Sequence, residues 1–146
     1  MRRRTICLML LITVGVTCAL AISDSATGQV KKGKTRPMTT EQLMEGLVRP
    51  NCAKLGKAFK ADAVDEKAWK GLATKAALLN EASYILMADS RCPDAEWNGA
   101  AMKLREASAQ LLKEVDAKNV EGAKSTFKQL TKSCAACHKA HRKDEH

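Results

Sequence analysis

Five residues near the end of the chain, Cys134-Ala135-Ala136-Cys137-His138, combine two thiols and an imidazole at a spacing that suits one particular chemistry. Thiols three residues apart share a helix face and can add across the two vinyl groups along one porphyrin edge. The histidine that follows at once swings beneath the ring to the iron, which is the c-type haem attachment pattern. One axial ligand is then supplied, and the opposite axial position is left to the rest of the chain. Other readings use the same atoms. Cys134, Cys137, His138 and His141 offer four N/S ligands to zinc, but structural zinc sites draw on separated knuckles, and histidines this close to both thiols would strain a tetrahedron. A thioredoxin-like redox pair needs a βαβ setting, which this sequence lacks. Two core cysteines beside an incidental histidine is the bland alternative.

The chain that positions these groups has 146 residues, enough for one domain and too few for a multidomain enzyme. Hydrophobic residues at 45% and charged residues at 28% are globular proportions. Aromatics make up only 3%, namely Phe59, Trp69, Tyr84, Trp97 and Phe127, so an Ala-rich core is short of bulk that a macrocycle would fill. Eight glycines and three prolines are too few for a turn-rich β domain.

Residues 1–21 read as a cleavable signal peptide: Arg2, Arg3 and Arg4, an apolar run from Ile6 to Leu20, then Ala19-Leu20-Ala21 with the cut after Ala21. An uncleaved anchor is the rival reading, although Thr13, Gly15 and Thr17 dilute the apolar run. A lipidated Cys18 is disfavoured by the preceding Gly15-Val16-Thr17. No later stretch is long enough to span a bilayer, so a periplasmic or otherwise exported protein without stable membrane insertion is expected. Loss of Arg2, Arg3 and Arg4 leaves 22 basic against 16 acidic side chains, a net of +6, and the cysteines Cys52, Cys92, Cys134 and Cys137. Basicity could suit nucleic acid. Export removes that partner and favours acidic protein surfaces instead.

Residues 22–38, with Lys31, Lys32, Lys34 and Arg36, read as a flexible basic spacer, and 39–146 as the domain. Four helical stripes follow. The first opens on the capping box Thr39-Thr40-Glu41-Gln42 and carries Leu43, Met44, Leu47 and Val48, then Leu55 and Phe59 beyond a kink expected at Pro50. The second, from about Asp65, carries Trp69, Leu72, Ala76, Leu79, Ser83 and Leu86. The third starts at Pro93 and carries Trp97, Ala101, Leu104, Ser108, Leu111 and Val115. The fourth, capped by Asn119, carries Val120, Ala123, Phe127, Leu130, Cys134, Cys137 or His138, and His141. Short connections make an all-α, antiparallel up-down-up-down four-helix bundle, with haem attached near the C-terminus of the fourth helix.

An exported four-helix pattern with Cys134, Cys137 and His138 closing its last helix resembles the class II c-type cytochromes, the cytochrome c′ and cytochrome c-556 group, over about Met38–Arg142. The resemblance implies one covalent haem c lying between the helices, His138 proximal and the first helix distal. In that group the distal residue is either a methionine, giving a six-coordinate electron carrier, or an apolar residue, giving a five-coordinate haem that binds nitric oxide or carbon monoxide. Many members carry a basic residue one turn before the distal position, where this chain has Thr40.

Met44, about a turn past the first cap and near the pole of the attachment motif, is the leading distal candidate, with Leu47 beside it lining the pocket. Met87 is second, ahead of Met102 and Met38, and ordinary core packing is the alternative role for Met44. His141 and His146 follow His138 on the same helix end and cannot cross the ring. Lys139, Arg142 and Lys143 surround the expected exposed haem edge, either docking a partner or simply placing cations at a helix C-terminus. Cys52 and Cys92 are either bridged or separate thiols. The expected function is one-electron transfer between protein partners rather than enzymic catalysis. A five-coordinate gas binder or a zinc-stapled interaction module is the alternative, and pairing of two bundles into a homodimer is left open.

Overall fold

The structure, a computed structural model, describes residues 32–61 and 64–142. The expected signal peptide 1–21, Lys143 and His146 lie outside the described residues. Among those residues the protein is an all-helical bundle of four helices, the first built from three consecutive pieces: α1 (Thr40–Leu43), a π-helical turn (Met44–Val48) and α2 (Arg49–Lys60). The others are α3 (Ala68–Met87), α4 (Ala95–Asp116) and α5 (Val120–His141). None is long and apolar enough to cross a membrane.

Local chemistry sets the helix starts. Thr39 and Gln42 cap each other reciprocally, the Thr39 hydroxyl accepting from the Gln42 N–H and the Gln42 side chain accepting from the Thr39 N–H. Asn119 caps α5 through the Gly122 N–H. The third stripe begins later than expected: Asp94 is the cap, accepting from the Trp97 N–H, so Pro93 stands just outside α4. A carboxylate that takes up an orphan N–H outweighs proline's preference for the first turn.

A π turn stands at the position of the expected kink. Pro50 has no N–H, and its ring crowds the carbonyl of Gly46 four residues back. The ladder slips by one residue, and the Arg49 N–H donates to the Met44 carbonyl, five residues back. The helix therefore runs on through the proline.

The expected stripes are the core. Leu43, Leu55, Leu79, Leu111 and Leu130 are fully buried, with Trp69, Trp97 and Phe59 closing the ends. Side chains fix the register of neighbouring helices. Trp97 Nε1 donates to the Leu86 carbonyl (2.8 Å), and Asn80 Nδ2 donates to the Arg105 carbonyl (2.9 Å) and Ser108 Oγ (3.1 Å), so α3 and α4 run antiparallel. Phe59 meets Phe127 at 5.6 Å between centroids, which pairs α2 with α5. Tyr84, half exposed, is covered by the Arg105 guanidinium 3.6 Å above its ring, a packing role. The α4 helix packs extensively on both α3 and α5, while the first helix packs far less, against α3 and α5.

The end of the segment expected as a flexible spacer is tied down. Asp89, in the left-handed region at φ 58°, accepts the Thr35 N–H (3.0 Å) and the Arg36 N–H (2.9 Å), and Arg91, fully buried, donates Nη2 to the Met38 carbonyl (2.6 Å). The chain passes so close that a Cβ on Gly33 would stand 1.9 Å from Asp89 Oδ2. The Arg36 N–H above all, then the donors of Thr35 and the charge of Arg91, hold the Asp89 carboxyl below its usual range. A carboxyl lowered in the folded state contributes stability above its unfolded value, near 3.9, and loses it as pH falls through the lower folded value. Amide exchange at residues 34–36, taken relative to the intrinsic rate at each pH, should accelerate on acidification below about pH 4. Asp89→Gly, which suits the left-handed backbone, should show that acceleration already at neutral pH. Unchanged exchange in the variant would mean the carboxylate is not the tether.

Candidate haem-attachment site

The attachment residues occupy the last turns of α5, a helix that stays regular to His141 because Arg142 caps it through the His138 carbonyl. Cys134, Cys137 and His138 line one pocket, facing Met44 and Val48 of the π turn, Leu86 of α3, and Trp97, Ala100, Ala101 and Leu104 of α4. Counted out through its open mouth, and so including solvent, the space is about 410 Å³. Only about 40 Å³ of it is roomy enough for water. Seating a flat macrocycle therefore asks the lightly packed first helix to move outward. The alanines of α4 supply room where larger residues would close the floor.

Electrostatics leave the groups in the forms that attachment and ligation use. Burial, and then the neighbouring Cys52, push the Cys134 thiol up to about 11. Burial and the Asp94 carboxylate raise Cys137. Both sulfurs therefore stay protonated near neutral pH. Burial, with Arg142 nearby, lowers His138 below the usual imidazole value, so its ring is neutral and a nitrogen lone pair is free for a metal. Two neutral thiols, a neutral imidazole and a thioether around one apolar pocket fit a haem held through two thioether bonds and two axial donors.

The distal assignments sort clearly by position. Met44 is half-buried and lines the pocket. Met87 Sδ accepts a hydrogen bond from Arg105 Nη2 at 3.2 Å, and Met38 and Met102 are exposed. Val48 lines the pocket beside Met44, while Leu47 packs against the core. An α-helix turns about 100° per residue, and wider π winding turns less, so Leu47 falls off the Met44 face while Val48 remains near it. Nothing in the sequence marks this beyond Pro50, which perturbs the ladder a turn upstream of itself.

Of the two arrangements left open for Cys52 and Cys92, the structure has the separate one. Both are free thiols; Cys52 lies beside Cys134, and Cys92 donates to the Asp94 carbonyl at 3.4 Å. The helix continues unbroken past Pro50, so Cys52 stays two turns down from Met44 and lies beside Cys134 of α5 instead of the α3–α4 connection. Sequence spacing alone could not find this, because it depends on the register of α2 against α5.

Among known proteins, the cytochrome c′ family model matches residues 93–142, which span α4, α5 and the whole attachment motif. No curated protein and no solved structure matches the chain.

Proposed function

The chain is a class II c-type cytochrome of the cytochrome c′ family, with covalently attached haem c, and from that premise we propose that it is an exported one-electron carrier whose iron is held between His138 and Met44. The observation that carries this reading is the convergence of two donors on one pocket from different helices, His138 on α5 and Met44 on the π turn. When bound, haem supplies the electron exchange, and a thioether axial ligand favours a raised reduction potential. His138 offers a neutral nitrogen. Cys134 and Cys137 fix the ring edge, and Val48, Leu86 and Leu104 keep water from its face. Exposed Lys139 and Arg142, at the mouth end of α5, supply cations for an acidic partner.

The five-coordinate gas-binding alternative draws on the mainly apolar wall around Met44, formed by Val48, Leu86, Ala101 and Leu104. Visible spectra of the reduced protein with and without carbon monoxide separate the two. A carrier ligated by Met44 should be low-spin and bind carbon monoxide slowly and incompletely. Rapid stoichiometric binding would transfer the protein to the gas-binding class, with Met44 and Val48 as pocket lining.

A further inference from the structure

The start of α4 and the last turn of α5 bring three metal-ligating side chains together outside the attachment motif. The donor atoms of Asp94, Glu96 and His141 all lie within 4.8 Å of one another. Carboxylates at a helix start are common and say nothing about a ligand by themselves. His141 is what distinguishes this group. Its side chain is only 9% exposed, and Nε2 is closed off from solvent without a hydrogen-bond partner. A buried nitrogen in that state is costly and calls for an explanation. Trp97 packs edge-on against the ring, with centroids 5.3 Å apart, and holds the imidazole in this direction.

The nitrogen is aimed at a carboxylate. His141 Nε2 stands 3.4 Å from Asp94 Oδ1. That separation is the edge of a tetrahedron with arms of about 2.0–2.1 Å, the bond lengths of zinc to nitrogen and carboxylate oxygen. Asp94 Oδ1 accepts the Trp97 N–H at 2.8 Å, which fixes the carboxylate and leaves further lone pairs on both oxygens. Glu96 is exposed and can turn inward without disturbing the core.

We propose that Asp94, Glu96 and His141 form a second metal site, separate from the haem ligands, that takes Zn²⁺ or a similar borderline divalent transition ion with water completing its shell. One imidazole with two carboxylates suits such ions, whereas calcium and magnesium are usually held by oxygen alone. A bound ion would join the end of the helix that carries the attachment motif to the start of α4.

The test is calorimetric titration of Zn²⁺ into the haem-loaded full chain. One equivalent should bind saturably, and the thermal midpoint should rise with it. Glu96→Gln, at an exposed position, should weaken binding about tenfold or more while leaving the haem spectrum and helicity unchanged. His141→Gln should abolish it. Cys92→Ser should leave it intact, because the nearby thiol is not a ligand. Absence of saturable binding, equal binding in Glu96→Gln, or loss in Cys92→Ser would each overturn the site.

Discussion

Replacing Cys134 and Cys137 together by alanine is expected to give a colourless protein, even when it matures alongside a working cytochrome assembly apparatus. The parent chain, matured in the same way, should gain the mass of one haem over its processed polypeptide. The double variant should gain nothing. The two sulfurs lie on one face of α5 and open into the same pocket, so each single variant keeps one point of attachment and the pair removes both. Both side chains are only partly buried at the pocket wall, packed against the edge of the core and not within it. The cost in polypeptide stability should therefore fall below the ~2–5 kcal/mol of large core truncations, and circular dichroism should still report the helices. An uncoloured, unmodified parent would end the haem reading altogether.

Met44→Ala should keep the haem covalently attached and shift the iron from low-spin toward high-spin, with carbon monoxide now binding readily and the reduction potential lower. Packing loss alone should cost about 1–2 kcal/mol, less than the ~2–5 of a fully buried methionine, because Met44 is only half-buried. Met44→Leu separates the two effects, since it retains most of the volume and removes the sulfur. The spin change should appear in both variants, while the stability loss should appear mainly in the alanine one. Low-spin spectra in both would move the axial ligand away from Met44.

Much of this was legible in the sequence because the signals were local or periodic. The stripes through Trp69, Leu79 and Leu86, and through Trp97, Leu104 and Leu111, follow the helical repeat and are the buried faces. Thr39, Gln42 and Asn119 carry their capping chemistry within one turn. What the sequence withheld depends on partners far along the chain. Asp89 meets Thr35 across 54 residues from a left-handed turn, a contact that no local pattern announces. The neighbourhood of Cys52 with Cys134 follows from how α2 lies on α5. The choice of Val48 over Leu47 follows from a π turn whose cause, Pro50, is visible and whose outcome could equally have been a bend. The attachment motif itself needs no tertiary information, because its spacing is written within one helical turn.

The first helix brings Met44 to the pocket, yet it is the helix least firmly packed against its neighbours. An element held by fewer contacts detaches at a lower free-energy cost than the whole domain needs to melt. The proposed sixth coordination position therefore rides on the part of the molecule that yields first. Exchange of an axial partner can then proceed as a partial excursion, with the α3–α4–α5 unit and its covalent anchorage left standing.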